Sequence, residues 1–117
     1  MPSVPSVRTI TVDNAITAGA TETTDIIAIP FAAETVTLFF SSTGDAEVIP
    51  QLSHNGTDWF DMWKIDGSAV LMLDTTGAVS LAFQLPMFAA PYLRFSVKNT
   101  TAGGTTYTIH VATRYAA

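Results

Sequence analysis

The side chains best suited to acid–base or metal chemistry are His54, His110, Asp58, Asp61, Asp66 and Asp74. Neither histidine has a carboxylate at the spacing of a metal-ligand set. His54 falls at a turn and His110 on the outward side of the last strand, so both read as surface or structural residues. Asp58 and Asp61 have an odd separation, which points them to opposite faces of a strand. That is poor geometry for the paired acid and base of a glycosidase. No loop has the oxygen spacing of an EF-hand calcium site. Turn formation accounts for Asp66, before Gly67, and for Asp74. The chain has no cysteine, so thiolate ligands and disulfides are excluded. The expectation is a protein that is not an enzyme, with no catalytic residue, no cofactor and no metal site.

A hairpin over Ala46–Ile65 must position most of these residues. Asn55-Gly56 is a strong signal for a two-residue turn, because both residues tolerate positive φ. That turn pairs Leu52 with Trp59, Val48 with Trp63 and Ala46 with Ile65 on one face. On the other it sets Glu47 opposite Lys64. Asp61 then shares a face with the two tryptophans, opposite Pro50. The expected arrangement makes this the core face, with Trp63 buried and Asp61 near an edge or bulge at Pro50. The alternative is an exposed strip of Trp59, Asp61 and Trp63, as in sugar-binding sandwiches. Phe60 and Met62 make the opposite face apolar as well, which predicts contact there with a partner, a loop or a neighbouring subunit.

The rest of the chain alternates with period two. Val7–Asp13, Thr35–Ser42, Ala78–Leu85, Tyr92–Asn99 and Thr105–Arg114 read as strands, and Asp25–Phe31 and Ala69–Leu73 as shorter ones. Asp74–Gly77 predicts a hairpin that pairs Val70 with Leu81 and Met72 with Val79. A loop centred on Gly103 predicts another, pairing Asn99 with Tyr107, Val97 with Ile109 and Phe95 with Val111. About eight strands, with turn signals every 8–12 residues, predict an all-β, antiparallel, jelly-roll-like β-sandwich. Residues 1–6 carry Pro2 and Pro5 and read as an extended arm; residues 7–117 read as a single domain. Pro2, Val4, Pro5 and Val7 on this arm and its junction join Phe60 and Met62 as candidate partner-binding residues.

Composition narrows the partners. The net charge is −5, with only Arg8, Lys64, Arg94, Lys98 and Arg114 basic, so no nucleic-acid footprint is expected. Charged residues make up 13% of the chain, about half the usual share, while 48% are apolar. Such a composition fits either a surface partly buried against partners or a compact, Thr-rich β domain that is simply short of charge. No apolar run is long enough to cross a membrane, and the first residues lack the basic and apolar regions of a signal peptide. The sequons at Asn55 and Asn99 read as turn chemistry.

The stretch Gln51-Leu52-Ser53-His54-Asn55-Gly56-Thr57-Asp58-Trp59 resembles a phage pattern, Gln-x-Ser-x-Asp/Asn-Gly-x-x-Trp. Tyr92–Asn99, followed by Gly103-Gly104-Thr105, is similar to the same group, the small β-sandwich virion proteins of tailed bacteriophages. The resemblance implies a structural role in the virion, most simply as a capsid decoration or cement protein. It also implies the major capsid protein or other virion subunits as partners, homo-oligomeric contacts, and no catalytic residues. A head–tail or tail fitting is a variant of the same reading. A carbohydrate-binding module, stacking glycan on exposed aromatics, is the competing class.

Overall fold

The computed structural model describes the backbone of residues 5–11, 16–29, 33–64, 66–85, 90–101 and 105–115. It contains ten strands: β1 (Pro5–Thr11), β2 (Thr21–Thr23), β3 (Ile27–Ala28), β4 (Ala33–Ser42), β5 (Ala46–Ser53), β6 (Phe60–Asp61), β7 (Leu73–Thr75), β8 (Val79–Gln84), β9 (Tyr92–Asn99) and β10 (Tyr107–Tyr115). One sheet has the order β1-β10-β4-β8. The other has the order β2-β9-β5-β6, with β3 also on β9 and β7 also on β5. Every pairing is antiparallel.

Two edges of the second sheet are interrupted strands. β2 and β3 both lie along β9, and Thr24–Ile26 separate them. The break is held shut by Thr24, whose backbone N–H donates to the Phe95 carbonyl and whose Oγ1 accepts the Phe95 N–H, each at 2.9 Å. β6 and β7 both lie along the side of β5 that β9 leaves free. Counting each interrupted pair once, the ten strands fill eight positions, four in each sheet. Successive positions alternate between the sheets everywhere except from β5 to β6. This is jelly-roll connectivity, and the expected β-sandwich is the fold found.

The period-two pattern builds the core. Val36, Leu38, Phe40, Tyr107, Ile109 and Val111 point inward from one sheet, and Ala46, Val48, Leu93, Phe95 and Val97 from the other. Phe40 and Tyr107 stack at 5.9 Å between ring centroids.

Several expected pairings are replaced. β9 and β10 lie in different sheets, so Val97 pairs with Val48 and Ile109 with Phe40, across no shared hairpin. β7 and β8 likewise separate, which removes the Val70–Leu81 and Met72–Val79 pairs. The inward-facing residues Val97, Ile109, Phe95 and Val111 are nevertheless buried as expected. Alternation identifies a strand's core face whichever strand it pairs with. Pro5 and Ser6, read as part of the arm, begin β1 and pair with Arg114 and Thr113. Pro2 and Val4 lie outside the described residues.

A buried amide ties one end of the sandwich together. Asn99 is fully buried. Its Nδ2 donates to the Ile16 carbonyl at 2.6 Å. Its Oδ1 accepts from the Thr101 N–H at 2.9 Å, from the Thr101 hydroxyl, and from Thr105 Oγ1 at 3.3 Å. The loop after β1 and the loop before β10 therefore meet on one side chain.

Candidate functional site

Pro50 decides how the site is built. It lies within β5, and its carbonyl accepts the Met62 N–H at 2.9 Å. A ladder residue would return a hydrogen bond to the Met62 carbonyl, but proline has no N–H to give. The Met62 carbonyl instead accepts the Leu71 N–H at 2.7 Å. The edge strand thus stops after Asp61, leaves the sheet as a small hairpin, and rejoins as β7. Trp63 bridges Val70 in this hairpin, and Lys64 donates to the Ala69 carbonyl at 2.8 Å. At the tip, Asp66 Oδ1 accepts the Ser68 N–H at 2.9 Å. Hydrogen bonds from the Ser68 side chain and backbone hold the Asp66 carboxyl below its ordinary range.

The Asn55-Gly56 signal marks a turn of a different kind from the one expected. Gly56 has φ 80°, but no described non-glycine residue has positive φ, so Asn55 does not form half of a type I′ pair. Its side chain organises a longer loop. Asn55 Oδ1 accepts from the Thr57 and Asp58 N–H groups at 2.9 and 2.8 Å, while Ser53 Oγ accepts from Gly56 N–H at 2.8 Å. This Asx-type geometry lengthens the connection and shifts the register. Leu52 pairs with Phe60 and Gln51 with Asp61, one residue away from the expectation.

A one-residue shift exchanges the two faces. Met62 becomes the inward residue and is buried. Trp63, expected in the core, is 55% exposed. Glu47 lies opposite Lys98 and Asp74 rather than Lys64. Met62 is therefore withdrawn as a surface contact. Phe60 is 59% exposed and stacks on His54 at 6.1 Å between ring centroids. Pro5 and Val7 are strand residues paired with Arg114 and Ala112.

The outer face of the second sheet carries a row of linked polar groups. Gln51 pairs with Asp61 on one side and Arg94 on the other. Arg94 Nε donates to Gln51 Oε1 at 2.7 Å, and Gln51 Nε2 donates to Asp61 Oδ1 at 2.8 Å. The Arg94 guanidinium lies 4.3 Å from the centroid of Trp59, a cation–π contact. Trp59 is half-buried under it, and Tyr92 lies against Gly56. Sequence reasoning preferred Trp59 and Asp61 inside, with an exposed strip as the alternative, and missed their links to Arg94 and Gln51. The available signal was Asp61 itself, a charge at a position where the core needed none.

Three exposed large apolar side chains, Phe60, Trp63 and Met72, lie on the β6–β7 edge and its hairpin. Ile26 and Phe39 are the others among the described residues. No group of three His, Asp or Glu side chains among the described residues could hold a metal ion.

No family model matches the chain, and no curated protein matches it. Solved structures share its fold, two of them as follows. One, from Bacillus endospore appendages described as a family of disulfide-linked pili, is 16% identical with a TM-score of 0.50, over 97% of this chain and 88% of that one. The other is dimeric latent PorU from Porphyromonas gingivalis, 16% identical with a TM-score of 0.56, over 98% of this chain. This chain spans 13% of the PorU chain. At these identities the likeness is one of fold alone.

Proposed function

We propose that this protein is a non-catalytic structural subunit of a phage virion, of the capsid decoration type, and that it docks through the β6–β7 edge. The observation that carries the reading is that Phe60, Trp63 and Met72, all exposed, follow one another along one interrupted sheet edge and its hairpin. Exposed aromatic side chains are common anchors of protein interfaces. An aromatic side chain presents about 150–250 Å², so covering the exposed half of Phe60 or Trp63 buries on the order of 100 Å². At about 25 cal/mol per Å² this contributes roughly 2–3 kcal/mol for each ring. The low charge of the chain and its resemblance to phage virion proteins over Gln51–Trp59 support the same reading. The partner is then the major capsid protein or a neighbouring virion subunit, and the location is the virion. Because the chain has no cysteine, assembly proceeds without disulfides.

The test is co-sedimentation with heads stripped of this protein. Wild-type protein is expected to rebind, and Phe60→Ser with Trp63→Ser to lose most of the binding while remaining folded. Equal rebinding by the double variant overturns the assigned edge.

One observation favours a second reading, a glycan-binding surface. Asp61 is exposed and bonded into the Gln51–Arg94 row, and the exposed Trp63 follows it by two residues. An exposed ring next to fixed polar groups suits a sugar. Saturable polysaccharide binding that Asp61→Asn abolishes, with no binding to heads, would select this reading.

A further inference from the structure

The sandwich has four edges, and three of them are guarded. Edge strands are normally blunted by proline, charge or a break, because their unpaired backbone groups recruit other strands. β1 contains Pro5 and Arg8. The β2/β3 edge is broken at Thr24–Ile26 and carries Glu22. The β6/β7 edge is broken opposite Pro50 and carries Asp61 and Asp74. β8, Val79-Ser80-Leu81-Ala82-Phe83-Gln84, has none of these devices.

The direction of its backbone groups follows from one hydrogen bond. Leu85 N–H donates to the Val36 carbonyl at 2.9 Å, so the odd-numbered residues of β8 bond to β4. Ser80, Ala82 and Gln84 then direct their N–H and C=O groups to the side where no described strand pairs, and all three are exposed. The inward residues Val79, Leu81 and Phe83 are only half-buried, as expected where a sheet ends early.

We infer that β8 is a self-pairing edge: two copies of this chain join β8 to β8 antiparallel about a two-fold axis at Ala82. The occupant is argued from charge and alternation. The chain is net acidic, yet this strand is neutral, so a second copy brings no like charges together. In this register Ala82 faces Ala82 of the second copy and Ser80 faces Gln84. Leu81 faces Phe83 on the inner side, which extends the core across the junction. Outward, Ala82 stands beside Phe39, itself exposed, and its small side chain leaves room for the incoming strand. An isologous pairing of this kind closes after two copies. It rests on the edge geometry and not on the virion reading.

The test uses the full chain in solution. Sedimentation across a wide concentration range is expected to give a monomer–dimer equilibrium. Ala82→Lys places two like charges face to face and is expected to abolish the dimer while matching the wild-type melting temperature at concentrations where both are monomeric. Ser80→Lys is a second probe of the same edge should Ala82→Lys misfold. Because the chain lacks cysteine, Ala82→Cys gives a register test. Facing residues of an antiparallel pair have Cα atoms about 5.5 Å apart, within disulfide reach. Mild oxidation is expected to cross-link Ala82→Cys rapidly and Thr100→Cys, an exposed control, slowly or not at all. A monomer at all concentrations would overturn the inference. So would a dimer that survives both lysine variants, equal cross-linking of the two cysteine variants, or growth beyond the dimer, which would mean that β8 pairs with a different edge.

Discussion

Removing the Asn99 side chain should loosen the end of the sandwich where two loops meet. In Asn99→Ala the Thr101 N–H loses its 2.9 Å acceptor, and the Ile16 carbonyl loses its 2.6 Å donor. The Ile16 carbonyl keeps the Thr105 N–H at 3.3 Å, and the Thr101 and Thr105 hydroxyls keep each other at 2.8 Å. The variant therefore loses the Asn99 acceptor of the part-buried Thr101 N–H and one of two donors to the Ile16 carbonyl, around a side chain that is fully buried. Leaving a buried polar group unsatisfied costs about 1–3 kcal/mol, so the variant should lose roughly 2–5 kcal/mol. For a domain of this size that is a fall in Tm of about 10–20 °C, a large part of its stability. Asn99→Asp should be no better. It turns a donor facing the Ile16 carbonyl into a second acceptor and buries a charge. The assay is thermal and denaturant unfolding followed by circular dichroism. A Tm within about 3 °C of wild type would refute the assignment of Asn99 as the tie between the loops. The same burial leaves no room for glycan on Asn99, whatever its sequon reads.

Trp63→Ala should change the unfolding free energy by less than about 0.5 kcal/mol, because the ring is exposed. Phe95→Ala, in the fully buried core, should cost about 3–5 kcal/mol, and parallel denaturant melts of the two variants check the contrast. Burial raises the Tyr107 phenol above its ordinary pKa, reinforced by the nearby Asp45 charge, while the Thr105 side chain opposes. A raised folded pKa gives stability that is complete below the unfolded value of about 10 and is lost as pH rises through the folded value. Tyr107→Phe should flatten that alkaline loss, at a neutral-pH cost of about 1 kcal/mol for the lost bond to the Asp45 carbonyl. Unfolding measured as a function of pH would show both.

The fold was legible because each strand carries its own alternation. Phe95 and Val97, or Ile109 and Val111, announce a core face without reference to any partner. Pairing was not legible in the same way. Sequence reading joins neighbours into hairpins, whereas a jelly roll sends nearly every connection to the opposite sheet. The candidate site turned on one residue of register. Asn55-Gly56 signals a tight turn, but the Asn55 side chain caps a longer loop instead, and Trp63 moves from inside to outside. Pro50 opposite Asp61 points in the sequence to an edge or a bulge. Its missing N–H does more than that, since it ends the edge strand and sends out the hairpin that carries Trp63. Arg94 and Gln51 gave no local signal, because their partnership joins residues from three separate strands.

The proposed role turns on whether the β6–β7 edge docks onto a virion shell. The most direct measurement is a cryo-electron microscopy map of stripped heads reconstituted with this protein. Ordered density is expected on the shell, with Phe60, Trp63 and Met72 seated against the capsid protein. A decorated shell in which this edge faces solvent, or heads that take up no protein at all, would contradict it.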